Sequence, residues 1–291
     1  MLNRATIDRV VAAALEEDAP WGDLTSEYLI VETAQARADL VARERGVFSG
    51  GEVFEAAFRL TDPRIEVQLI VEDGEWFEPG AVLAVVTGPA RGVLTAERVG
   101  LNFTQRMSGI ATLTGRYVAE VAHTRASIAD TRKTTPGLRA FERKAVRDGG
   151  GRNHRYSLSD AVMAKDNHLA LLTRGAVDGG WEAALTRALR AAKERLPHTA
   201  HLEVEVDRLE QIEPVLAAGV GTIMLDNFSL DDLRVGVAQV AGRATVEASG
   251  GVSLDTVRAI AETGVDVISV GALTHSARAL DLGLDVRIDA P

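Results

Sequence analysis

Four short apolar segments recur at nearly constant spacing in the second half of this chain, and they limit its possible folds more than any other feature. The segments are LEVEV (202–206), TIMLD (222–226), TVEAS (245–249) and DVISV (266–270), and they start 20, 23 and 21 residues apart. Helical patterns at about 209–218, 230–241 and 254–263 fill the gaps. Regular βα units imply a parallel sheet, and without a Walker loop or a G-x-G-x-x-G fingerprint they favour a barrel.

The first hundred residues follow a different pattern. A helix with an apolar face opens the chain, and the stretch from about 38 to 94 is strand-like and punctuated by turns. A long helix is predicted from about 96 to 122, where it leads into the βα repeats. The pattern predicts a small strand-rich domain followed by an α/β barrel.

Charge and composition exclude several classes of function. The chain has a formal net charge of −10, which argues against nucleic acid as a partner. It contains no cysteine, so disulfides, thiolate catalysis, zinc–thiolate sites and iron–sulfur clusters are excluded. The apolar run Val10–Leu15 is far shorter than the roughly 20 residues of a membrane span, and it continues directly into Glu16. We therefore expect a cytoplasmic protein without a membrane segment.

Carboxylates stand within or at the end of two predicted strands. Glu203 and Glu205 lie two residues apart and therefore share one face, and Asp226 ends the next strand. Reactive groups of a barrel lie at the carboxyl ends of its strands, and buried carboxylates are costly unless they are paired or bind a cation. Mg²⁺ takes one or two such carboxylates and completes its shell with water and substrate phosphates. Structural ion pairs or helix caps are the alternative interpretation.

A basic segment lies inside this acidic chain. Between Arg132 and Lys165 there are nine Lys or Arg residues against three acids, and glycines at 137 and 149–151 interrupt the segment. Arginine forks bind carboxylates or phosphates through two hydrogen bonds. The residues expected to bind an anion are Arg132, Lys133, His154, Arg155 and Lys165. Solvated charges are the expectation for Arg143, Lys144 and Arg147.

Two glycine-containing loops follow the last two predicted strands. ASGGVS (248–253) opens a helix, and SVGALTH (269–275) follows the final strand. Loops at these barrel positions commonly hold phosphate with their backbone amides, although strand-to-helix turns also use glycine for other reasons. Together with the cations and carboxylates, they predict an enzyme that combines a phosphorylated sugar with a carboxylate-bearing second substrate.

Longer strings of residues carry a family resemblance. DTRKTTPGLR (130–139), GGGRNHR (149–155) and KDNH (165–168) strongly resemble quinolinate phosphoribosyltransferase, the carboxylating nicotinate-nucleotide pyrophosphorylase. Further matches are EDAPWGDLTS (17–26), ERVGLNF (97–103), EVEVD (203–207), IMLDN (223–227), EASGG (247–251) and SVGALTHS (269–276). The resemblance implies an α/β fold, with an incomplete TIM-like α/β barrel over 110–275. It also implies an N-terminal α/β open-faced sandwich domain over 1–109, joined by 276–291.

The family's reaction would transfer a phosphoribosyl group from phosphoribosyl pyrophosphate to quinolinate with decarboxylation. It gives nicotinate mononucleotide, pyrophosphate and CO₂ in de novo NAD biosynthesis, with Mg²⁺ as cofactor. By motif, the residues that resemble quinolinate-binding cations are Arg132, His154, Arg155, Lys165 and, from the partner subunit, Arg98. Those that resemble catalytic residues around the ribose, the pyrophosphate and the metal are Lys133, Glu205 and Asp226. The two carboxylates would bind the metal directly or through water or pyrophosphate. The residues that resemble the family's loops for the 5′-phosphate are Ser249, Gly250 and Gly271.

The resemblance also implies a homodimer with shared active sites, and assembly to a hexamer stays open. A related phosphoribosyltransferase acting on nicotinate or another aromatic acid is the nearest alternative, but the NHR and KDNH strings favour a dicarboxylate. A phosphate-binding barrel isomerase or aldolase would fit the glycine loops alone. A noncatalytic anion-binding protein would leave the pair Glu205 and Asp226 unexplained.

Overall fold

The computed structural model describes residues 2–176 and 180–289, and these residues form two compact units. Unit 1 contains residues 2–115, 134–150 and 273–289, and unit 2 contains residues 116–133 and the described part of 151–272. This division does not test the domain boundaries expected from the sequence, which stay a prediction.

The helices and strands follow one another along the whole described chain. The helices are α1 (Arg4–Asp18), α2 (Leu24–Leu29), α3 (Gly51–Thr61), α4 (Ala90–Val121), α5 (Arg139–Asp148), α6 (Asp166–Leu172), α7 (Trp181–Arg195), α8 (Ile212–Ala217), α9 (Leu230–Val240), α10 (Leu254–Ala261) and α11 (Ala272–His275). The strands are β1 (Gln35–Ala42), β2 (Gly46–Val47), β3 (Glu66–Leu69), β4 (Trp76–Phe77), β5 (Val82–Pro89), β6 (Ser127–Ala129), β7 (Val162–Ala164), β8 (Leu202–Val206), β9 (Thr222–Asp226), β10 (Thr245–Ser249), β11 (Val267–Ser269) and β12 (Leu282–Asp289).

Unit 1 is built on an antiparallel sheet with the strand order β12-β1-β5-β3. In the central strand β1, Leu40 lies opposite Leu284 of β12 and Ala84 of β5. Every second residue of β1 is buried, so one face of the strand belongs to the core. Phe54 and Phe58 of α3 belong to the same core. A sheet covered on one face by helices is the α/β open-faced sandwich expected from the resemblance.

The stretch from about 38 to 94, expected to be strand-like and punctuated by turns, also contains a helix. Residues Gly51–Thr61 form α3, and its apolar side chains are buried at helical spacing. The glycines before it resemble a turn in sequence, but Gly50 is the N-cap and has a φ of 102°, a conformation that favours glycine. The long helix α4 also begins earlier than predicted, directly after Pro89 ends β5.

Unit 2 contains a parallel sheet with the strand order β6-β11-β10-β9-β8-β7. Arg152 forms a parallel bridge to Ala129 of β6. The segments that define the βα repeat form β8, β9, β10 and β11; the first three have the predicted bounds, and β11 is one residue shorter at each end. The parallel sheet and the separate N-terminal sandwich confirm the predicted fold class.

Burial explains why the sequence located these strands so well. Leu202, Val204 and Val206 on one face of β8 and Glu203 on the other are at most 5% exposed, as expected for a parallel strand covered on both faces. The following helix was expected as one element over 209–218, but it begins with a 3-10 turn at Leu209–Gln211. None of the helices in the described part of the chain has the length and hydropathy of a membrane span.

Candidate active site

All the predicted site residues except Arg98 lie in unit 2, at or just beyond the carboxyl ends of its strands. Arg132 and Lys133 follow β6, His154 and Arg155 follow the bridge at Arg152, and Lys165 follows β7. Glu205 lies in β8, Asp226 ends β9, Ser249 and Gly250 end and follow β10, and Gly271 follows β11. Because the carboxyl ends of parallel strands meet at one edge of the sheet, these residues form one candidate site.

Arg132 and Arg155 repel each other at this edge. Burial and the positive charge of Arg132 lower the pKa of the Arg155 guanidinium. The Nε atom of Arg132 is buried and has no hydrogen-bond partner among the described residues. Two like charges and an unsatisfied donor are unfavourable unless an anion binds to them. The pair therefore has the chemistry of a carboxylate or phosphate site.

Both ring nitrogens of His154 contact groups of the protein. Nε2 lies 3.1 Å from Glu203 Oε2 and 3.6 Å from Glu247 Oε1. Nδ1 accepts a 2.7 Å hydrogen bond from the backbone N–H of Arg155. Burial lowers the pKa of His154, but the hydrogen bonds and charges of the two glutamates outweigh burial and raise the pKa above its ordinary value. One ligand atom from each of the three side chains lies within 4.8 Å of the others, a spacing that could also hold a metal ion.

Lys165 and Glu205 form an ion pair across β7 and β8. The Nζ atom of Lys165 donates a 2.8 Å hydrogen bond to Glu205 Oε2. The backbone N–H of Lys165 donates to Nδ1 of His168 at 3.0 Å, which fixes the start of α6. The side chain of Lys165 is half-exposed, so it can contact a bound substrate while it remains close to Glu205.

The loop after β10 closely approaches the end of β9. The backbone N–H of Asn227 donates a 2.9 Å hydrogen bond to the carbonyl of Ser249, and its side-chain amide donates to Asp226 Oδ2 at 2.7 Å. Gly250 has a φ of +94°, and a Cβ there would lie 2.1 Å from Asn227 Oδ1. Conformation and space both require glycine at this position. The loop leads to Ser253, the N-cap of α10. Phosphate binding by this loop stays a prediction from the sequence.

Arg98 and Lys144 both belong to unit 1. Arg98 is exposed on α4.

Lys144 was expected to be a solvated charge, and this expectation is wrong. Its side chain is mostly buried and paired with Asp73 and, at 2.7 Å, with Asp148. Burial lowers the pKa of Lys144, but hydrogen bonds with the two aspartates prevail and raise it. Asp73 is distant in sequence, so the local charge pattern could not reveal this pairing.

The sequence interpretation gave no role to Glu247 or Asp130. Glu247 is 4% exposed within β10, and the same signal that pointed to Glu203, a carboxylate inside an apolar strand, was present there. Asp130 is fully buried and accepts hydrogen bonds from the backbone N–H of His154 at 2.7 Å and the side chain of Asn153 at 2.6 Å. Nothing in the local sequence shows this second contact, because it joins two separate strings.

Known proteins are similar to the chain over nearly its whole length. The N-terminal and C-terminal domain models of quinolinate phosphoribosyl transferase match residues 23–108 and 110–285. A probable carboxylating nicotinate-nucleotide pyrophosphorylase of Bacillus subtilis (strain 168) is 38% identical over 99% of this chain and 96% of its own. The carboxylating nicotinate-nucleotide pyrophosphorylase of Mycobacterium leprae (strain TN) is 43% identical over 95% of each chain.

Solved structures agree with these sequence matches. The crystal structure of NadC from Streptococcus pyogenes has a TM-score of 0.92 at 38% identity, and the match covers 100% of this chain and 99% of that chain. The nicotinate-nucleotide pyrophosphorylase from Francisella tularensis has a TM-score of 0.90 at 34% identity, with 99% and 98% covered. The family expected from the sequence is confirmed, and the chain belongs to the quinolinate phosphoribosyltransferases, the family of the carboxylating nicotinate-nucleotide pyrophosphorylases.

Proposed function

We propose that this chain transfers the phosphoribosyl group of phosphoribosyl pyrophosphate to quinolinate and removes one carboxylate as CO₂. The products are nicotinate mononucleotide and pyrophosphate, which gives the reaction a place in NAD biosynthesis. The observation that carries the proposal is the pair Arg132 and Arg155, two mutually repelling guanidinium groups that include a buried donor without a partner among the described residues. Family membership and the names of the relatives, which specify a carboxylating pyrophosphorylase, support the same reaction.

Quinolinate has two adjacent carboxylates and needs more than one fixed cation. Arg132 and Arg155 supply planar forks that suit carboxylates, and Lys165 supplies a compact charge at the end of β7. Nicotinate lacks the second carboxylate and would leave part of this positive charge unpaired. The number of cations therefore favours quinolinate over a monoacid.

The carboxylates of Glu205 and Asp226 fit a Mg²⁺ ion that binds together with phosphoribosyl pyrophosphate. Glu205 lies opposite Met224 in the β8–β9 register, and Asp226 follows two residues later on the same face. Mg²⁺ prefers such oxygen ligands, and when bound it supplies positive charge to the leaving pyrophosphate. Lys165 and Asn227 each hold one oxygen of these carboxylates. Contact through water or pyrophosphate therefore fits the pair as well as direct ligation does.

The remaining residues act on the sugar and its phosphates. Lys133 is exposed just beyond β6, where it can assist the departure of pyrophosphate. Positive charge then develops at the ribose C1, and Glu205 or Asp226 stabilises it electrostatically. The 5′-phosphate binds in the loops of Ser249, Gly250 and Gly271, which lead into α10 and α11.

Decarboxylation follows from the same charges. The pyridine nitrogen of quinolinate attacks C1 and becomes a pyridinium. Its positive charge stabilises the carbanion left at C2 when the adjacent carboxylate departs as CO₂, and a proton from water takes the vacated position. No covalent bond to the protein is required, so the residues act through positioning and electrostatics.

The proposed active site is shared between two copies of the chain. Exposed apolar side chains cluster on and before α2: Trp21, Leu24, Tyr28 and Leu29. Trp21 is 91% exposed, and such a patch is typical of a protein interface. Asp23, inside this segment, accepts a 3.2 Å hydrogen bond from Thr95 on α4. The patch is thus attached to the part of α4 that carries Arg98, and a second copy seated there would receive this arginine.

We expect the reaction to take place in the cytoplasm. The apolar run Val10–Leu15 lies within α1, where Val11 is buried, and this supports a structural role for the run. Fractionation of cells that produce the protein tests the location.

A discontinuous chromatographic assay tests the proposed reaction. Purified protein is incubated with phosphoribosyl pyrophosphate, Mg²⁺ and either quinolinate or nicotinate. Nicotinate mononucleotide is expected from quinolinate and not from nicotinate. Product from nicotinate alone would replace the proposed substrate by the monoacid, and folded protein that forms no product from either acid would refute the function.

A further inference from the structure

The two arginines of the candidate site are carried by two chain segments that lie side by side at the end of β6. Arg152 forms a parallel bridge with Ala129, the last residue of β6. The backbone N–H of Asp130 donates a 3.0 Å hydrogen bond to the carbonyl of Arg152. Beyond this bridge one segment continues to Arg132 and the other to Arg155. The two segments therefore leave the sheet from a common point.

The side chain of Asp130 joins the two segments a second time, just beyond the bridge. It is fully buried. Its Oδ1 accepts a 2.7 Å hydrogen bond from the backbone N–H of His154, and its Oδ2 accepts a 2.6 Å hydrogen bond from the side-chain amide of Asn153. A carboxylate is costly to bury without such partners, and hydrogen bonds to a charged acceptor are stronger than neutral ones. Because the two oxygens hold consecutive residues, the carboxylate fixes both the position and the direction of this segment.

This contact acts against the repulsion between the two arginines. Burial, and then the positive charge of Arg132, lowers the pKa of the Arg155 guanidinium, so the two like charges are close. Arg132 lies two residues after Asp130, and Arg155 lies directly after His154. Asp130 is thus linked to both arginines by short stretches of chain. Without its hydrogen bonds, repulsion would favour a wider spacing before a substrate binds.

We propose that Asp130 is a positioning residue that sets the spacing of Arg132 and Arg155, and so selects a substrate with two carboxylates on adjacent ring atoms. This inference rests on the proposed function, in which the two guanidinium groups bind quinolinate. Arginine forks recognise carboxylates in a defined direction, and a displacement of about 1 Å removes a large part of such recognition. An isomer with its carboxylates farther apart should therefore be rejected only while Asp130 holds the two segments together.

Asp130→Asn tests this role because it replaces one carboxylate oxygen by an amide group that repels the amide of Asn153. Calorimetry measures the affinity for quinolinate and for pyridine-2,4-dicarboxylate, whose two carboxylates are separated by one more ring atom. The unsubstituted protein is expected to prefer quinolinate by about 100-fold, and the variant by about tenfold or less. The ratio of the two affinities does not depend on the fraction of folded protein, so a loss of stability alone leaves it unchanged.

Two further variants complete the comparison. Asp130→Asn/Asn153→Asp exchanges the two groups, so their hydrogen bond forms in the opposite direction and an amide oxygen remains for the N–H of His154. This double variant is expected to recover most of the preference for quinolinate. Asp266→Asn is the matched control, because Asp266 also accepts a backbone N–H from a neighbouring strand, that of Val246 at 2.9 Å, but lies at the amino edge of the sheet, directly before β11. It should lower stability and leave the ratio unchanged.

Hydrogen exchange at the His154 amide gives a readout that needs no substrate. Its signal is assigned in protein labelled with ¹⁵N-histidine by comparison with His154→Gln. The amide is expected to exchange slowly in the unsubstituted protein and at least about tenfold faster in Asp130→Asn, and the double variant should recover part of the protection. Should Asp130→Asn fail to fold, Asn153→Ala removes one of the two contacts and should lower the affinity ratio in the same direction.

Three results would overturn the inference. The first is an unchanged affinity ratio in Asp130→Asn, including an equal loss of affinity for both isomers, which would indicate a general structural role. The second is a double variant as unselective as Asp130→Asn, since the charge of Asp130 and not its contact would then matter. The third is equal affinity of the unsubstituted protein for both isomers. If that protein binds neither acid, the proposed function fails, and exchange of the His154 amide still tests whether Asp130 holds this segment.

Discussion

The ammonium group of Lys165 lies 2.8 Å from a carboxylate oxygen of Glu205. One of these residues is expected to bind quinolinate, and the other is expected to face the ribose and the metal. Their contact joins the binding sites of the two substrates. The side chain of Lys165 is 47% exposed, so the pair contributes only about 0–1 kcal/mol to stability. We therefore expect the pair to matter for the reaction more than for stability.

Lys165→Ala is expected to weaken substrate binding and to leave the stability of the protein nearly unchanged. Removal of the charge should weaken quinolinate binding by about 2–5 kcal/mol, because a substrate carboxylate loses its partner. The free energy of unfolding should change by less than about 1 kcal/mol. Calorimetry and chemical denaturation measure the two quantities. Lys193→Ala on α7, whose ammonium contacts the carbonyl of Gly219, is the control and should leave binding unchanged. Unchanged quinolinate affinity in Lys165→Ala would contradict the assignment.

Arg132→Ala should weaken quinolinate binding without destabilising the free protein. The variant removes one of two repelling cations and a buried Nε atom that lacks a partner in the described structure. We expect a binding loss of about 2–5 kcal/mol by calorimetry, together with an unchanged or slightly higher melting temperature. Arg234→Ala, which removes an exposed arginine of α9, is the matched control. Quinolinate affinity equal in both variants would show that Arg132 does not contact the substrate.

Gly250→Ala should impair phosphate binding through two separate effects. Alanine at a φ of +94° costs about 1–2 kcal/mol, and its Cβ would collide with Asn227. Gly242→Ala shares only the first effect, since its φ is +75° and no atom lies within 4 Å of its Cβ position. Both variants should be less stable, but only Gly250→Ala should raise the KM for phosphoribosyl pyrophosphate, by about 10- to 100-fold. Equal kinetics in the two would contradict the role of this loop.

The parts of this molecule that sequence could predict are those determined by local pattern. β8 and β9 were located because buried parallel strands are short apolar runs, and Lys165 was identified because its string resembles a family motif. α3 was missed because strand-like segments lie on both sides of it in the sequence. The convergence of Glu203 and Glu247 on His154 could not be predicted, because it brings together two strands on either side of β9 and a loop that is distant from both in sequence.

Mixing two inactive variants tests whether active sites are shared. Arg98→Ala and Arg155→Ala should each be nearly inactive as homodimers. If Arg98 acts in the partner's site, a mixed dimer has one site that lacks both arginines and one site that is intact. Random exchange of subunits should then restore about a quarter of the wild-type activity. Activity that stays at the level of the single variants, although exchange is shown by mass spectrometry, would place Arg98 in its own subunit's site or outside it.

Acid should remove the stabilisation that Asp23 gives to α2. The hydrogen bond from the Ser26 hydroxyl is the main reason that the pKa of Asp23 lies below its ordinary value of 3.8; burial opposes this shift, and hydrogen bonds from the Ser26 amide and Thr95 add to it. A lowered pKa means that the stabilisation is present above pH 3.8 and is lost as the pH falls through the folded-state value. Asp23→Ala should cost about 1 kcal/mol at neutral pH. The difference from wild type, followed by denaturation against pH, should shrink below pH 3.8; a constant difference would contradict this origin.

The most direct test of the central claim uses quinolinate labelled with ¹³C in its C2 carboxylate. In a single turnover with phosphoribosyl pyrophosphate and Mg²⁺, the account predicts equal amounts of labelled CO₂ and unlabelled nicotinate mononucleotide. Without phosphoribosyl pyrophosphate, no CO₂ should appear, because the pyridinium that stabilises the carbanion cannot form. Labelled CO₂ released without the sugar substrate, or a nucleotide that keeps the label, would contradict the account.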